Sequence, residues 1–88
     1  MPAPDGPSIH EDLRAFVYSR FPAARERAVG DGASLLENGI VDSLGILDII
    51  IYLEERYGIS IEDAELLPTH FDSIAALVAF TEQKYSSG

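Results

Sequence analysis

The middle of the chain reads Gly39-Ile40-Val41-Asp42-Ser43-Leu44-Gly45, and a mostly apolar segment continues to Tyr57. We expect Ser43–Tyr57 to be a helix that Gly58 ends, since glycine is common just past a helix C-terminus. Asp42 is a typical N-cap, because its carboxylate accepts first-turn amides and complements the positive helix end. Ser43 would then be helical, with a free hydroxyl at a place that favours an attached phosphate. Because most serines at helix starts carry nothing, this position permits a modification without requiring one.

The predicted helix carries two apolar strips. At about 100° per residue, one arc holds an ordinary core stripe, made of Ile46, Ile49, Ile50, Leu53 and Tyr57. A second strip consists of Leu44, Leu47 and Ile51, and its borders are acidic, with Asp48, Glu54 and Glu55. An apolar strip among acidic residues is typical of a docking surface. The alternative is that the preceding loop covers one or two of the three aliphatic residues.

Outward from this helix, the pattern predicts two further main helices and no strand. Ser8 and Glu11 form a capping box at the start of a first helix. The apolar positions of that helix are Ile9, Leu13, Phe16 and Val17, and it stops near Phe21-Pro22. Phe71-Asp72-Ser73 caps a last helix, which has Ile74, Leu77, Val78, Thr81 and Tyr85 on one face.

The connections between these helices are unequal. Residues 22–41 form a long loop that apolar residues anchor, with a helical turn near Ala33–Leu36, whereas residues 62–67 form a short acidic turn broken at Pro68. The predicted fold is an all-α small four-helix bundle, with three main helices and one short one. We expect a lead-in over residues 1–7, a domain over residues 8–85 and a frayed end over residues 86–88.

Composition excludes several classes of function. The chain has 88 residues and no cysteine, so it has neither a disulfide framework nor a thiolate metal site. Its net charge of −9 opposes binding to nucleic acid. Residues 1–41 hold six acids and four arginines, whereas residues 42–88 hold nine acids and two bases, so a charged partner would be basic and would dock on the second half. The two histidines, His10 and His70, are too few for a zinc site. The first residues have neither a basic start nor an apolar run, and the apolar runs are short, so we expect no signal peptide, no membrane span and a cytoplasmic protein.

Ser43 lacks the surroundings of a catalytic nucleophile. A nucleophilic serine needs a base within hydrogen-bond reach and a third group that orients the base. The residues before Ser43 lack the first glycine of a nucleophile elbow, and only His70 follows it in the chain. We therefore predict no catalytic residue, no metal ligand and no enzymatic activity.

The segment Gly39-Ile40-Val41-Asp42-Ser43-Leu44 resembles the Asp-Ser-Leu attachment motif of acyl and peptidyl carrier proteins. The resemblance extends over nearly the whole chain, including the first helix, the long loop, Tyr52–Gly58 and Phe71–Ile74. It implies an acyl-carrier-protein-like bundle in which Ser43, flanked by Asp42 and Leu44, bears covalent 4′-phosphopantetheine from coenzyme A. A phosphopantetheinyl transferase would attach this arm, whose thiol would hold an acyl or aminoacyl group as a thioester.

The resemblance also implies partners. In this family the second helix is the recognition surface, and the corresponding residues here are Leu44, Leu47, Asp48, Ile51, Glu54 and Glu55. Gly45 stands where fatty-acid carriers usually have an acid, and Arg56 interrupts the acids, so we expect a thinner negative surface. The chain looks more like free-standing carriers that an adenylating acyl or aminoacyl ligase loads before acyl-processing enzymes act. We expect the protein to be a monomer. The alternative function is that of an unmodified acidic adaptor whose second helix binds a basic partner.

Overall fold

A computed structural model describes residues 8–87, and this part of the chain is a bundle of α-helices without a β-strand. The main helices are α1 (Ile9–Arg20), α3 (Ser43–Tyr57) and α5 (Ile74–Ser87). Between them lie two short helices, α2 (Pro22–Glu26) and α4 (Pro68–Phe71), and a 3₁₀ turn (Asp63–Glu65). The predicted all-α class, acyl-carrier-protein-like bundle and long first loop are confirmed. The predicted lead-in over residues 1–7 and residue 88 lie outside the described residues, and α5 extends to Ser87.

The two short α-helices both begin at a proline, and the sequence analysis did not predict either of them. Pro22 and Pro68 occupy first-turn positions, where the missing N–H costs no hydrogen bond and the fixed φ suits a helix. The sequence pattern indicates each proline only as the end of a preceding element. The helical turn predicted near Ala33–Leu36 lies slightly later in the chain, where the structure has hydrogen-bonded turns over residues 35–39.

The local start signals of the main helices are confirmed. The Ser8 hydroxyl accepts the Glu11 amide at 3.1 Å, and the Ser8 amide donates to the Glu11 carboxylate at 3.3 Å, which completes the capping box of α1. At the start of α5, the Ser73 hydroxyl accepts the Ala76 amide at 3.0 Å. At the end of α3, Gly58 adopts φ +66°, a left-handed conformation that glycine reaches without steric cost.

The core is shared between the helices and the long loop. Helix α1 packs on α5 and α2, and α4 packs on α5. The fully buried large side chains are Leu13, Val17, Leu35, Ile49, Leu53, Phe71, Ile74, Leu77 and Thr81. The loop also buries Val29, Ile40 and Val41, so it lies across the bundle as a structural layer. No described helix is both long and apolar enough to cross a bilayer.

Asp72 fastens the long loop to the junction of α4 and α5. Its carboxylate accepts the Ser34 hydroxyl at 2.8 Å and the Leu36 amide at 3.0 Å, and its backbone carbonyl accepts the Leu35 amide at 2.6 Å. Of the predicted capping segment Phe71-Asp72-Ser73, Ser73 caps α5, whereas the Asp72 side chain binds the loop. This connection fixes the loop a few residues before α3 begins.

A second carboxylate, Asp12, joins α1 to the last turns of α3. Asp12 accepts hydrogen bonds from the hydroxyls of Tyr52 at 2.9 Å and Tyr57 at 2.5 Å, and from Arg56 Nε at 3.3 Å. The Tyr52 ring also stacks on Phe16, with ring centroids 3.9 Å apart. Burial, followed by the hydrogen bond to Asp12, raises the pKa of Tyr52 to about 12. These contacts hold one face of α3 against α1 and leave the opposite face to solvent.

Candidate functional site

Ser43 is the first residue of α3, and its side chain is exposed. Asp42 is the N-cap in an extended conformation, and its carboxylate accepts the Gly45 amide at 2.8 Å. The Asp42 carbonyl accepts the Ile46 amide at 3.0 Å, so the helical hydrogen bonds begin at this residue. The Ser43 hydroxyl makes no hydrogen bond to any residue that the structure describes. The hydroxyl is therefore available at the positive end of the helix.

Gly45 allows the start of α3 to approach its neighbours closely. A Cβ atom at this position would lie 2.9 Å from Phe21 Cε1 and 2.9 Å from Val41 Cγ1, which is shorter than real contacts allow. Residue 45 is buried and faces the core, so the structure gives Gly45 a packing role that the sequence analysis did not predict. A glycine inside a predicted helix often has such a packing reason, and this was the available signal.

The second apolar strip of α3, which we call the apolar strip, consists of Leu44, Leu47 and Ile51. Leu44 is 72% exposed, and Leu47 and Ile51 are each 53% exposed. The alternative that the long loop covers part of the strip is therefore wrong. On the opposite side, Ile49 and Leu53 are fully buried, while the other members of the predicted core stripe are half-buried: Ile46, Ile50 and Tyr57.

The acidic residues that border the apolar strip differ in the ion pairs and hydrogen bonds that they form. Asp48 forms an ion pair with Arg20, the last residue of α1, with 2.7 Å between Oδ2 and Nη2. Glu54 accepts the Ile61 amide at 3.0 Å and so holds the segment after α3. Glu55 is exposed and has no ion pair or hydrogen bond within the described part of the chain. Sequence reasoning missed both engagements, because their partners come from other elements.

The chain contains a second Asp-Ser-aliphatic tripeptide, Asp72-Ser73-Ile74, at the start of α5. Unlike Ser43, Ser73 is half-buried, and its hydroxyl is bonded to the Ala76 amide. The two tripeptides therefore present their serines differently, and the described residues offer a free hydroxyl at Ser43 rather than at Ser73.

The remaining candidates from the sequence have structural partners. His70 Nδ1 lies 3.0 Å from the Glu65 carbonyl oxygen, and its ring stacks on Phe80 with centroids 4.8 Å apart. His10 Nε2 lies 2.6 Å from Asp31 Oδ2. Among the described residues, no three His, Cys, Asp or Glu side chains form a group that could hold a metal ion.

Comparison with known proteins gives one family. Residues 22–81, from α2 into α5, match the family model described as the phosphopantetheine attachment site. A search of curated proteins gave no match. The matched range includes the whole of the long loop after α2, the Asp42-Ser43-Leu44 tripeptide and all of α3.

Proposed function

Because the chain belongs to the phosphopantetheine attachment site family, we propose that it is an acyl or aminoacyl carrier protein whose Ser43 bears the prosthetic group. Domains of this family carry 4′-phosphopantetheine covalently. The observation that carries the assignment to Ser43 is its exposed, unbonded hydroxyl as the first residue of α3. Ser73 offers no equivalent group, because its hydroxyl caps α5.

The residues around Ser43 suit a phosphate diester. The first amides of α3 have no intrahelical acceptor, and the helix dipole favours an anion at this end. Asp42 directs one carboxylate oxygen, Oδ1, to the Gly45 amide, and the structure shows no hydrogen bond between this carboxylate and the Ser43 hydroxyl. When attached, the arm supplies a thiol that holds acyl cargo as a thioester. The domain itself supplies the attachment point and a surface that other enzymes recognise.

Leu44, Leu47 and Ile51 are the proposed contact surface for those enzymes. They begin beside Ser43 and extend along the solvent face of α3, so a bound enzyme would meet the serine and the strip together. Complete burial of an aliphatic side chain contributes about 1.5–3 kcal/mol, and these residues are already partly covered. Since association costs at least about 4 kcal/mol, docking should be weak and brief. Such binding suits a carrier that visits several enzymes in turn.

Two segments of the chain, one around Ser43 and one at the start of α5, bear on how the protein is loaded. The segments Leu36–Gly45 and Phe71–Ile74 resemble those of free-standing carriers that a separate adenylating ligase loads. We propose that the protein is a cytoplasmic monomer that serves a fatty-acid, polyketide or nonribosomal-peptide type of pathway. Its partners would be a phosphopantetheinyl transferase, the ligase and acyl-processing enzymes.

Intact-protein mass spectrometry tests the assignment of Ser43. Purified protein is incubated with coenzyme A and a broad-specificity phosphopantetheinyl transferase, and the expected result is a mass increase of one phosphopantetheinyl group. Ser43→Ala should abolish the increase, whereas Ser73→Ala, the matched control, should retain it. No increase in the wild-type protein, or an increase that survives Ser43→Ala, would contradict the proposal.

The exposed apolar strip would also serve the alternative, an unmodified adaptor. An adaptor would show no mass increase and would bind its basic partner equally well after Ser43→Ala. Leu47→Glu or Ile51→Glu would abolish that binding. A carrier with Ser43→Ala would still dock on its partner enzymes but would lose all transfer of cargo.

A further inference from the structure

The charges beside the apolar strip are arranged differently from what the acidic composition suggests. Asp48 lies on the border of the strip nearest α1, and the guanidinium of Arg20 lies 2.7 Å from its carboxylate. Both side chains remain partly in solvent, with 54% of Arg20 and 38% of Asp48 exposed. A partner that docks on the strip therefore meets a cation and an anion together at this border.

On the opposite border of the strip, the charged side chains also have partners within the fold. Glu54 is half-buried and uses one carboxylate oxygen to accept the Ile61 amide. Arg56, which the sequence placed among the acids, turns toward Asp12 of α1. Of the three predicted border acids, Glu55 is the one without such an engagement in the part of the chain that the structure describes. Charge attraction to the strip is consequently weaker than a count of acids implies.

From this arrangement we infer that Arg20 is a specificity-determining residue for docking. A lysine or arginine of a partner that approaches Asp48 meets repulsion from Arg20 and has to displace it from the carboxylate. Partners that bring an apolar surface without a cation opposite Asp48 avoid this cost. The chain thus selects enzymes with an apolar contact surface and disfavours those that bind carriers mainly through basic residues. This inference rests on the proposed function, since it concerns the enzymes that act at Ser43.

The size of the effect follows from the exposure of the pair. Exposed ion pairs change an equilibrium constant by about two- to fivefold, and salt screens them. Removal of Arg20 should therefore free Asp48 and raise the encounter rate with a basic enzyme by about this factor at low ionic strength. The gain should disappear in high salt. It should also require the Asp48 carboxylate.

The test measures kcat/KM for modification with coenzyme A, at low and high salt, by a phosphopantetheinyl transferase chosen because its carrier-binding surface is basic. Arg20→Ala should raise kcat/KM about two- to fivefold at low salt. The double variant Arg20→Ala/Asp48→Asn should behave like Asp48→Asn alone. Arg14→Ala is the matched control, because it removes the same charge from α1. The Arg14 side chain contacts Tyr18 of its own helix and not α3. Thermal unfolding of each variant checks that the fold is retained.

Three outcomes would overturn the inference: an Arg20→Ala effect no larger than that of Arg14→Ala, a gain that persists when Asp48 is also removed, or a fall in kcat/KM. A fall would mean that Arg20 itself binds the enzyme. Absence of any modification of the wild-type protein would instead refute the proposed function, so the two failures are distinguishable.

Discussion

Truncation of the two isoleucines on opposite faces of α3 should have opposite consequences for stability and for recognition. Ile49 is fully buried, so Ile49→Ala removes three carbon atoms from the core. At about 0.8 kcal/mol per buried methylene this loses roughly 2.4 kcal/mol, and the cavity brings the expected cost to about 2–5 kcal/mol. Ile51 is 53% exposed, so Ile51→Ala loses less than half of that transfer term, roughly 1 kcal/mol. Alanine also recovers a few tenths of a kcal/mol, about 0.3, through its higher helix propensity.

Urea unfolding followed by far-ultraviolet circular dichroism measures both costs, and the m-values should stay unchanged. A domain of this size has a free energy of unfolding of about 4–13 kcal/mol. Ile49→Ala removes most of this stability if the wild-type value lies at the lower end of the range. Ile49→Val and Ile51→Val form a milder pair, with expected costs of about 0.5–1.5 kcal/mol and nearly zero. Modification by the transferase should show the reverse order, because Ile51→Ala weakens docking and Ile49→Val does not.

Equal destabilisation by the two substitutions would refute the assignment of the faces of α3. So would a normal modification rate for Ile51→Ala combined with a reduced rate for Ile49→Val. The sequence pattern places both Ile49 and Ile50 in the core stripe. The structure leaves Ile50 half-buried, so Ile49 is the sharper test of core packing.

Three further predictions concern polar groups inside the fold. Thr81 is fully buried, and its hydroxyl has no hydrogen-bond partner among the described residues, so Thr81→Val should raise the free energy of unfolding by about 1–3 kcal/mol in urea titration. Asp72→Ala should lower it by about 2 kcal/mol, because two hydrogen bonds to the loop are lost, whereas exposed Glu55→Ala should change it little. The raised pKa of Tyr52 favours its neutral form in the folded state, so its contribution is complete below pH 10 and is lost as the pH rises toward about 12. Tyr52→Phe should therefore reduce the alkaline loss of stability, as thermal unfolding across this pH range would show.

Much of the candidate site was predictable because its determinants are local. The bounds of α3 were predicted correctly, since Asp42 and Gly58 set them through backbone preferences within one turn. The apolar strip followed from the helical period, and all three of its residues are exposed. The short helices were missed because proline signals both an end and a beginning.

The engagements of the acidic residues depend on contacts between distant parts of the chain. Arg20 and Asp48 are 28 residues apart, Leu36 and Asp72 are 36 apart, and Asp12 and Tyr52 are 40 apart. A sequence records the charge of each residue but does not record which charges meet, because that depends on how α1, α3 and the long loop pack.

The amino-acid pattern is sufficient to predict where α3 begins, which serine is its first residue and which aliphatic side chains face away from the core. Hydrogen bonds and side-chain periodicity over three or four residues suffice for these features. Three other features depend on the packing of the whole fold: Gly45 is a packing contact, Asp72 holds the loop and Arg20 pairs with Asp48. Burial of the shared core brings these segments together, so the electrostatic character of the proposed recognition surface is a property of the folded chain.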